Sequence, residues 1–109
     1  MIQTINIMQG DQYAVPVEIL TSDGRPARGD TFAEVEIVIG DMRKTLTSGE
    51  VTYDADGQVF LFPLTQEETF TMRDLPQKAQ LRVKTKSGDV VGRNLGYIII
   101  GVSQSKEVL

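Results

Sequence analysis

From Lys78 to Val102 the chain reads KAQLRVKTKSGDVVGRNLGYIIIGV, and its apolar and polar positions alternate. Ala79, Leu81 and Val83 interleave with Gln80, Arg82 and Lys84. A period of two is what a strand with one buried and one wet face requires. Ser87-Gly88-Asp89 supplies a turn, and Val90 to Val102 returns as a β-branched run. The segment predicts a β-hairpin.

The rest of the chain divides in the same style. Ile2 to Met8 predicts a first strand with Ile5 and Ile7 on one face, turned by Gly10-Asp11. Tyr13, Val15, Val17 and Ile19 share a face in the next strand, where Pro16 points to a sheet edge or a bulge because it cannot donate to a ladder. Ser22-Asp23-Gly24 is a tight-turn signal, and Arg25 to Thr31 reads as a loop crossing between sheets. Val35, Ile37 and Ile39 alternate with Glu34 and Glu36 as a half-buried strand, and Gly40-Asp41 opens a short connection to Met42–Leu46. A second hairpin runs from Glu50 through Asp54-Ala55-Asp56-Gly57 to Leu64.

In that hairpin Phe60, Phe62 and Leu64 face one way while Val59 and Leu61 face the other. Apolar residues on both faces predict a strand covered twice, or one whose exposed side a partner covers. Thr65-Gln66-Glu67-Glu68 fits a capping box and predicts one short helical turn near residues 65–72, ended before Pro76. Gly92 and Gly96, inside a strand, mark a bulge or a sheet-switching bend. Short strands with turns every eight to twelve residues predict an all-β fold. The best match is an immunoglobulin-like antiparallel β-sandwich of seven or eight strands, spanning residues 1–109 as a single domain.

Composition narrows the chemistry. The 109 residues contain neither cysteine nor histidine, which removes disulfides, thiolate metal sites and nucleophile–histidine pairs. A formal charge of −4 argues against nucleic-acid binding, and Arg82, Lys84 and Lys86 are spaced as the solvated face of one strand. The start, MIQTINIMQGD, has no basic, apolar signal-peptide pattern, and no stretch approaches the ~20 apolar residues that cross a bilayer. The expectation is a non-enzymatic protein with no cofactor, no metal and no membrane partner.

Individual motifs yield little catalytic promise. Asp54-Ala55-Asp56-Gly57 fails as a calcium loop, since Thr52 and Pro63 occupy the positions that need acidic ligands. A hairpin turn explains it better. Arg28-Gly29-Asp30 spells an adhesion tripeptide in a predicted loop built of ordinary loop residues. Glu67 and Glu68, adjacent on a helical turn, diverge by about 100° and suit the helix end better than paired-carboxylate catalysis. Tyr13, Tyr53 and Tyr97 would make a sugar-stacking platform only if the fold converged them; packing in the core or at a sheet edge is favoured.

The order of turns and strands resembles a family of structural domains in tails of phages and prophages of Gram-positive bacteria, of the type of the immunoglobulin-like N-terminal domain of the baseplate upper protein. The resemblance rests on Gly10-Asp11, the DGRPA turn Asp23–Ala27, the EVEIVIG strand, DADGQVFLFPLTQEET from Asp54 to Thr69, and the segment Leu81–Ser105. It covers nearly the whole chain as a pattern, without a fixed functional residue. In the family a long C-terminal region follows, whereas this chain stops at Leu109, as a stand-alone virion protein or an excised domain would. The resemblance implies a virion assembly module, made in the bacterial cytoplasm. Its partners would be other virion or tail proteins or copies of itself, with a possible homo-oligomer. The contact is expected at Val59, Phe60, Leu61 and Phe62 and at the tail residues Ser103, Val108 and Leu109, so that charging Phe60 or Phe62 should impair assembly more than folding. The alternative is an immunoglobulin-like ligand-binding or adhesion module for a carbohydrate or a cell-surface protein.

Overall fold

A computed structural model describes residues 3–72 and 75–109. Its elements are β1 (Gln3–Met8), β2 (Tyr13–Val17), β3 (Phe32–Ile39), β4 (Met42–Thr45), β5 (Thr52–Asp54), β6 (Val59–Leu64), α1 (Gln66–Thr71), β7 (Gln77–Thr85) and β8 (Val90–Gly101). Ile2, expected to open the first strand, lies outside the described residues. A five-stranded sheet, ordered β1-β8-β7-β3-β4, faces a three-stranded sheet ordered β2-β6-β5. The fold is an all-β sandwich, as the alternation predicts.

The core is the inner face of each sheet. Val35, Ile37, Ile39, Ala79, Leu81, Val83, Ile98 and Ile100 come from the larger sheet, and Val15, Val17, Phe60, Phe62 and Leu64 from the smaller. At about 1.5–3 kcal/mol for each large apolar side chain removed from water, this layer drives the folding. Phe60 and Phe62 are 1% and 0% exposed, among the largest fully buried side chains. That corrects the expectation that they meet a partner: β6 is the middle strand of its sheet, and its even-numbered residues point into the sandwich. Val59 and Leu61, on the other face, are half-buried.

Two local features shape the larger sheet. Between β7 and β8 the register slips, with Ala79 opposite Gly96 but Gln80 opposite Asn94, so Leu95 is the extra residue of a bulge. Gly96 stands there at φ +136°, where a side chain would be strained. Gly92 pairs regularly with Arg82. The second feature is β1, which pairs with β8 in parallel, Gln3 opposite Gly96 through Met8 opposite Gly101. All other strand pairs are antiparallel among the described residues. Arg25–Thr31 lies in the loop between β2 and β3, which belong to different sheets, as expected.

Helix α1 carries the predicted capping box. The Thr65 hydroxyl accepts from the Glu68 N–H (3.1 Å), and the Glu68 carboxylate accepts from the Thr65 N–H (2.9 Å). The helix is anchored through Thr69, fully buried, whose hydroxyl accepts from the Gly10 N–H and donates to the Asp11 carbonyl, both at 2.9 Å. Gly10 is required at that point, since a Cβ on it would sit 2.8 Å from the Phe70 ring.

Candidate interaction surface

A sandwich interacts through faces, edges and loops, and the polar side chains decide which of them are free. On the outer face of the larger sheet Glu36 lies between two arginines, opposite Arg82 on β7. Its carboxylate accepts from Arg82 Nε (2.7 Å) and Nη2 (3.1 Å) and from Arg43 Nε (2.5 Å). Only 7% exposed, it was expected on a wet face; the arginine side chains reaching it from β7 and β4 account for the cover. The Arg82 hydrogen bonds foremost, joined by those of Arg43 and by both positive charges, overcome burial and pull its carboxyl to about 2. Glu34 is similar: burial pushes it up, but bonds from the Thr47 hydroxyl and N–H and from the Val35 N–H bring it below its ordinary value.

Where the two sheets meet α1, the buried Lys44 donates to the Pro63 carbonyl (2.6 Å) and the Glu68 carboxylate (2.9 Å), 5.1 Å from the centre of the Phe62 ring. Burial raises the Glu68 carboxyl, and bonds from Thr65 and Lys44 more than reverse that. These carboxylates are held ionised and fully partnered. They are structural, with no poised acid or base.

The remaining motifs resolve as local structure. The Asp56 N–H donates to Asp54 Oδ1 (3.2 Å) within the β5–β6 turn, whose left-handed residue is Gln58 (φ +53°), not Gly57. Among the described residues no group of three or more Asp or Glu could hold a metal ion. The Arg28–Thr31 segment is a closed turn, with the Arg28 N–H on Thr31 Oγ1 (2.8 Å) and Gly29 packed against Tyr53. The tyrosines do not converge. Tyr53 packs on Phe60 with ring centres 5.1 Å apart, Tyr13 lies across β6 opposite Leu64, and Tyr97 is on the outer face of the other sheet.

The tail bends back toward α1. The Ser103 N–H donates to Gln9 Oε1 (3.4 Å), Lys106 Nζ reaches the same oxygen (3.0 Å), and the Gln66 amide exchanges two hydrogen bonds with the Leu109 backbone. Val108 and Leu109 remain exposed. Val59, by contrast, lines a cleft of about 530 Å³ between the two sheets, beside Ile5, Val17, Leu20, Leu95 and Ile98. The expected contact residues thus do not form one surface.

Two features escaped the sequence. Met8, Tyr97 and Ile99, 50%, 43% and 38% exposed, lie on the outer face of the β1–β8 pair, with Tyr97 opposite Thr4, Ile99 opposite Asn6 and Met8 opposite Gly101. Beside them runs the outer edge of β1. The other three edges are blunted in recognisable ways. β2 carries Pro16, β5 is three residues long, and β4 carries Arg43 and has its Thr45 carbonyl taken by the Val51 N–H (3.0 Å). β1 has neither charge nor proline.

Comparison with known family models, with curated proteins and with solved structures finds no match to this chain.

Proposed function

We propose that this chain is a non-enzymatic assembly module of a phage or prophage tail or baseplate, working through protein–protein contacts. The observation that carries the assembly part is the exposed apolar side chains Met8, Tyr97 and Ile99 on the outer face of the β1–β8 pair, beside an edge strand with neither charge nor proline, a combination that favours an interaction surface. The strand order supports an immunoglobulin-like identity. β8-β7-β3-β4 facing β2-β6-β5 corresponds to strands G-F-C-C′ facing B-E-D of a variable-type immunoglobulin sandwich. The tail assignment is supported by the turn-and-strand resemblance over Gly10–Asp11, Asp23–Ala27, Asp54–Thr69 and Leu81–Ser105.

The test is mass spectrometry of tail-like particles purified from cells that make the protein. Recovery of the chain in fixed ratio to the particle's main tail protein is the expected result. Its absence from intact particles refutes the assignment. The adhesion alternative has no converging tyrosine platform to support it.

A further inference from the structure

Resting on the assembly reading, which it deepens, we propose that the β7–β8 hairpin takes an acidic, extended segment of a partner chain as an added strand along Val90–Arg93. Charge selects that occupant. Lys78, Arg82, Lys84, Lys86 and Arg93 against the single acid Asp89 give residues 78–93 a net charge of +4, in a chain whose total is −4. Glu36 holds Arg82, but Lys84, Lys86 and Arg93 have no carboxylate partner among the described residues. Residues 86–94 are exposed without a break, so the hairpin presents its charge to whatever docks there.

The backbone beside these charges is open. Among the described residues β1 pairs with β8 only from Gly96 onward, and at that register two further residues reach no further than Asn94. Toward β7, the Thr85 N–H donates to the Asp89 carbonyl (2.8 Å), so by alternation Asp89, Val91 and Arg93 are the residues that bond to β7. Val90 and Gly92 therefore direct their N–H and C=O groups the other way, on the side where β1 lies further along. The bond found there among the described residues is internal to β8, from Arg93 Nη1 to the Gly92 carbonyl (2.8 Å). The guanidinium thus guards the edge, and a strand seating there meets it first. A carboxylate draws it off the Gly92 carbonyl and frees that acceptor for the ladder, whereas a basic strand is repelled. On the outer face Lys84, opposite Val90, stands two strand spacings from the added strand, about 10 Å, within the combined reach of lysine and glutamate side chains. Gly92, with no side chain, leaves the path across β8 clear. Backbone bonds then supply attachment and the cations supply the choice of partner.

The probe is a short synthetic peptide alternating glutamate with valine, capped at both ends and titrated into the isotope-labelled full chain under NMR observation at low salt. It should shift the Val90 and Gly92 amides and slow their hydrogen exchange, and added salt should weaken it. The same peptide with lysine for glutamate should not bind. A version with proline for the central valine keeps every carboxylate but loses a ladder donor, and should bind about tenfold more weakly. Lys84→Glu/Lys86→Glu/Arg93→Glu changes exposed residues outside every ion pair of the described chain, and should lose the glutamate peptide about tenfold or more while gaining the lysine peptide. Circular dichroism checks its fold, and the three peptides on the wild type decide the matter if it fails to fold. Three results overturn the inference: no binding of the glutamate peptide to the wild type, equal binding of the proline version without slowed exchange, or tighter binding of a single-stranded oligonucleotide of equal charge. The particle assay stands apart from these. The chain found in particles without peptide binding keeps the assembly reading and removes this one, and peptide binding without particles removes the tail assignment.

Discussion

Glu36 offers a test of how the outer face of the larger sheet is held. Its carboxyl falls from 4.5 to about 2 in the folded protein. At roughly 1.4 kcal/mol for each tenfold in proton affinity, that is a ceiling of about 3 kcal/mol. Both arginine side chains are 62% exposed, however, so water screens the pairs and about 1–2 kcal/mol is the working figure. The sign follows from the direction. A carboxyl depressed on folding contributes its full stability above the unfolded value of 4.5, and loses it as pH falls toward about 2. Glu36→Gln should therefore be about 1–2 kcal/mol less stable than wild type at pH 7. The gap should shrink progressively below 4.5 and nearly vanish near 2. Glu34 and Glu68 are also depressed, but they titrate in both proteins and cancel in the difference. Urea unfolding of both proteins at a series of pH values reads the gap directly. A gap that stays constant through the acid range refutes the reasoning, since Glu36 would then act through packing and not through its charge.

Other predictions follow from burial and hydrogen bonding. Phe62→Ala should cost about 3–5 kcal/mol in urea unfolding while Leu61→Ala, on the other face of the same strand, costs under about 2, the reverse of what an interface at Phe62 requires. Thr69→Val keeps the shape but strands the Gly10 N–H and the Asp11 carbonyl, for a loss of about 1–3 kcal/mol; hydrogen exchange should show faster opening of the Gly10–Asp11 turn than of β7. Gly96→Val forces a β-branched side chain into φ +136° and should lower the unfolding free energy by about 1–3 kcal/mol, whereas Gly92→Val, on a regular pair, should cost less.

What was legible in the sequence was whatever depends on near neighbours. Alternation placed Val35, Ile37, Ile39, Leu81 and Val83 in the core because period and face are fixed within one strand. The capping box was readable because Thr65 and Glu68 satisfy each other within one turn. What escaped depends on residues far apart along the chain. The parallel pairing of β1 with β8 joins residues more than 90 positions apart, and no turn signal announces it. Glu36 looked solvated because nothing local shows that Arg82, 46 residues on, would cover it. The two-faced pattern at Val59–Leu64 was visible, but which face was core was settled only when β6 took the middle of its sheet. The hairpin turn at Asp54–Gly57 was legible, though its left-handed residue is Gln58.

The four sheet edges carry the last step of the argument. Closing an edge needs little: one proline serves β2, shortness serves β5, and an arginine with a borrowed N–H serves β4. At β1 the closing device exists but stops halfway, with Asp11 sealing Met8 and leaving Thr4 and Asn6 open. A fully open six-residue edge would pair in several registers and with many strangers. A fully sealed one would pair with nothing. Among the described residues Thr4 and Asn6 stay open beside the carboxylate clamp, with the exposed Tyr97 and Ile99 one strand further in. On the assembly reading, a short open edge of this kind suits a module held near its partners by a larger structure, where effective concentration supplies what a few backbone bonds cannot supply alone.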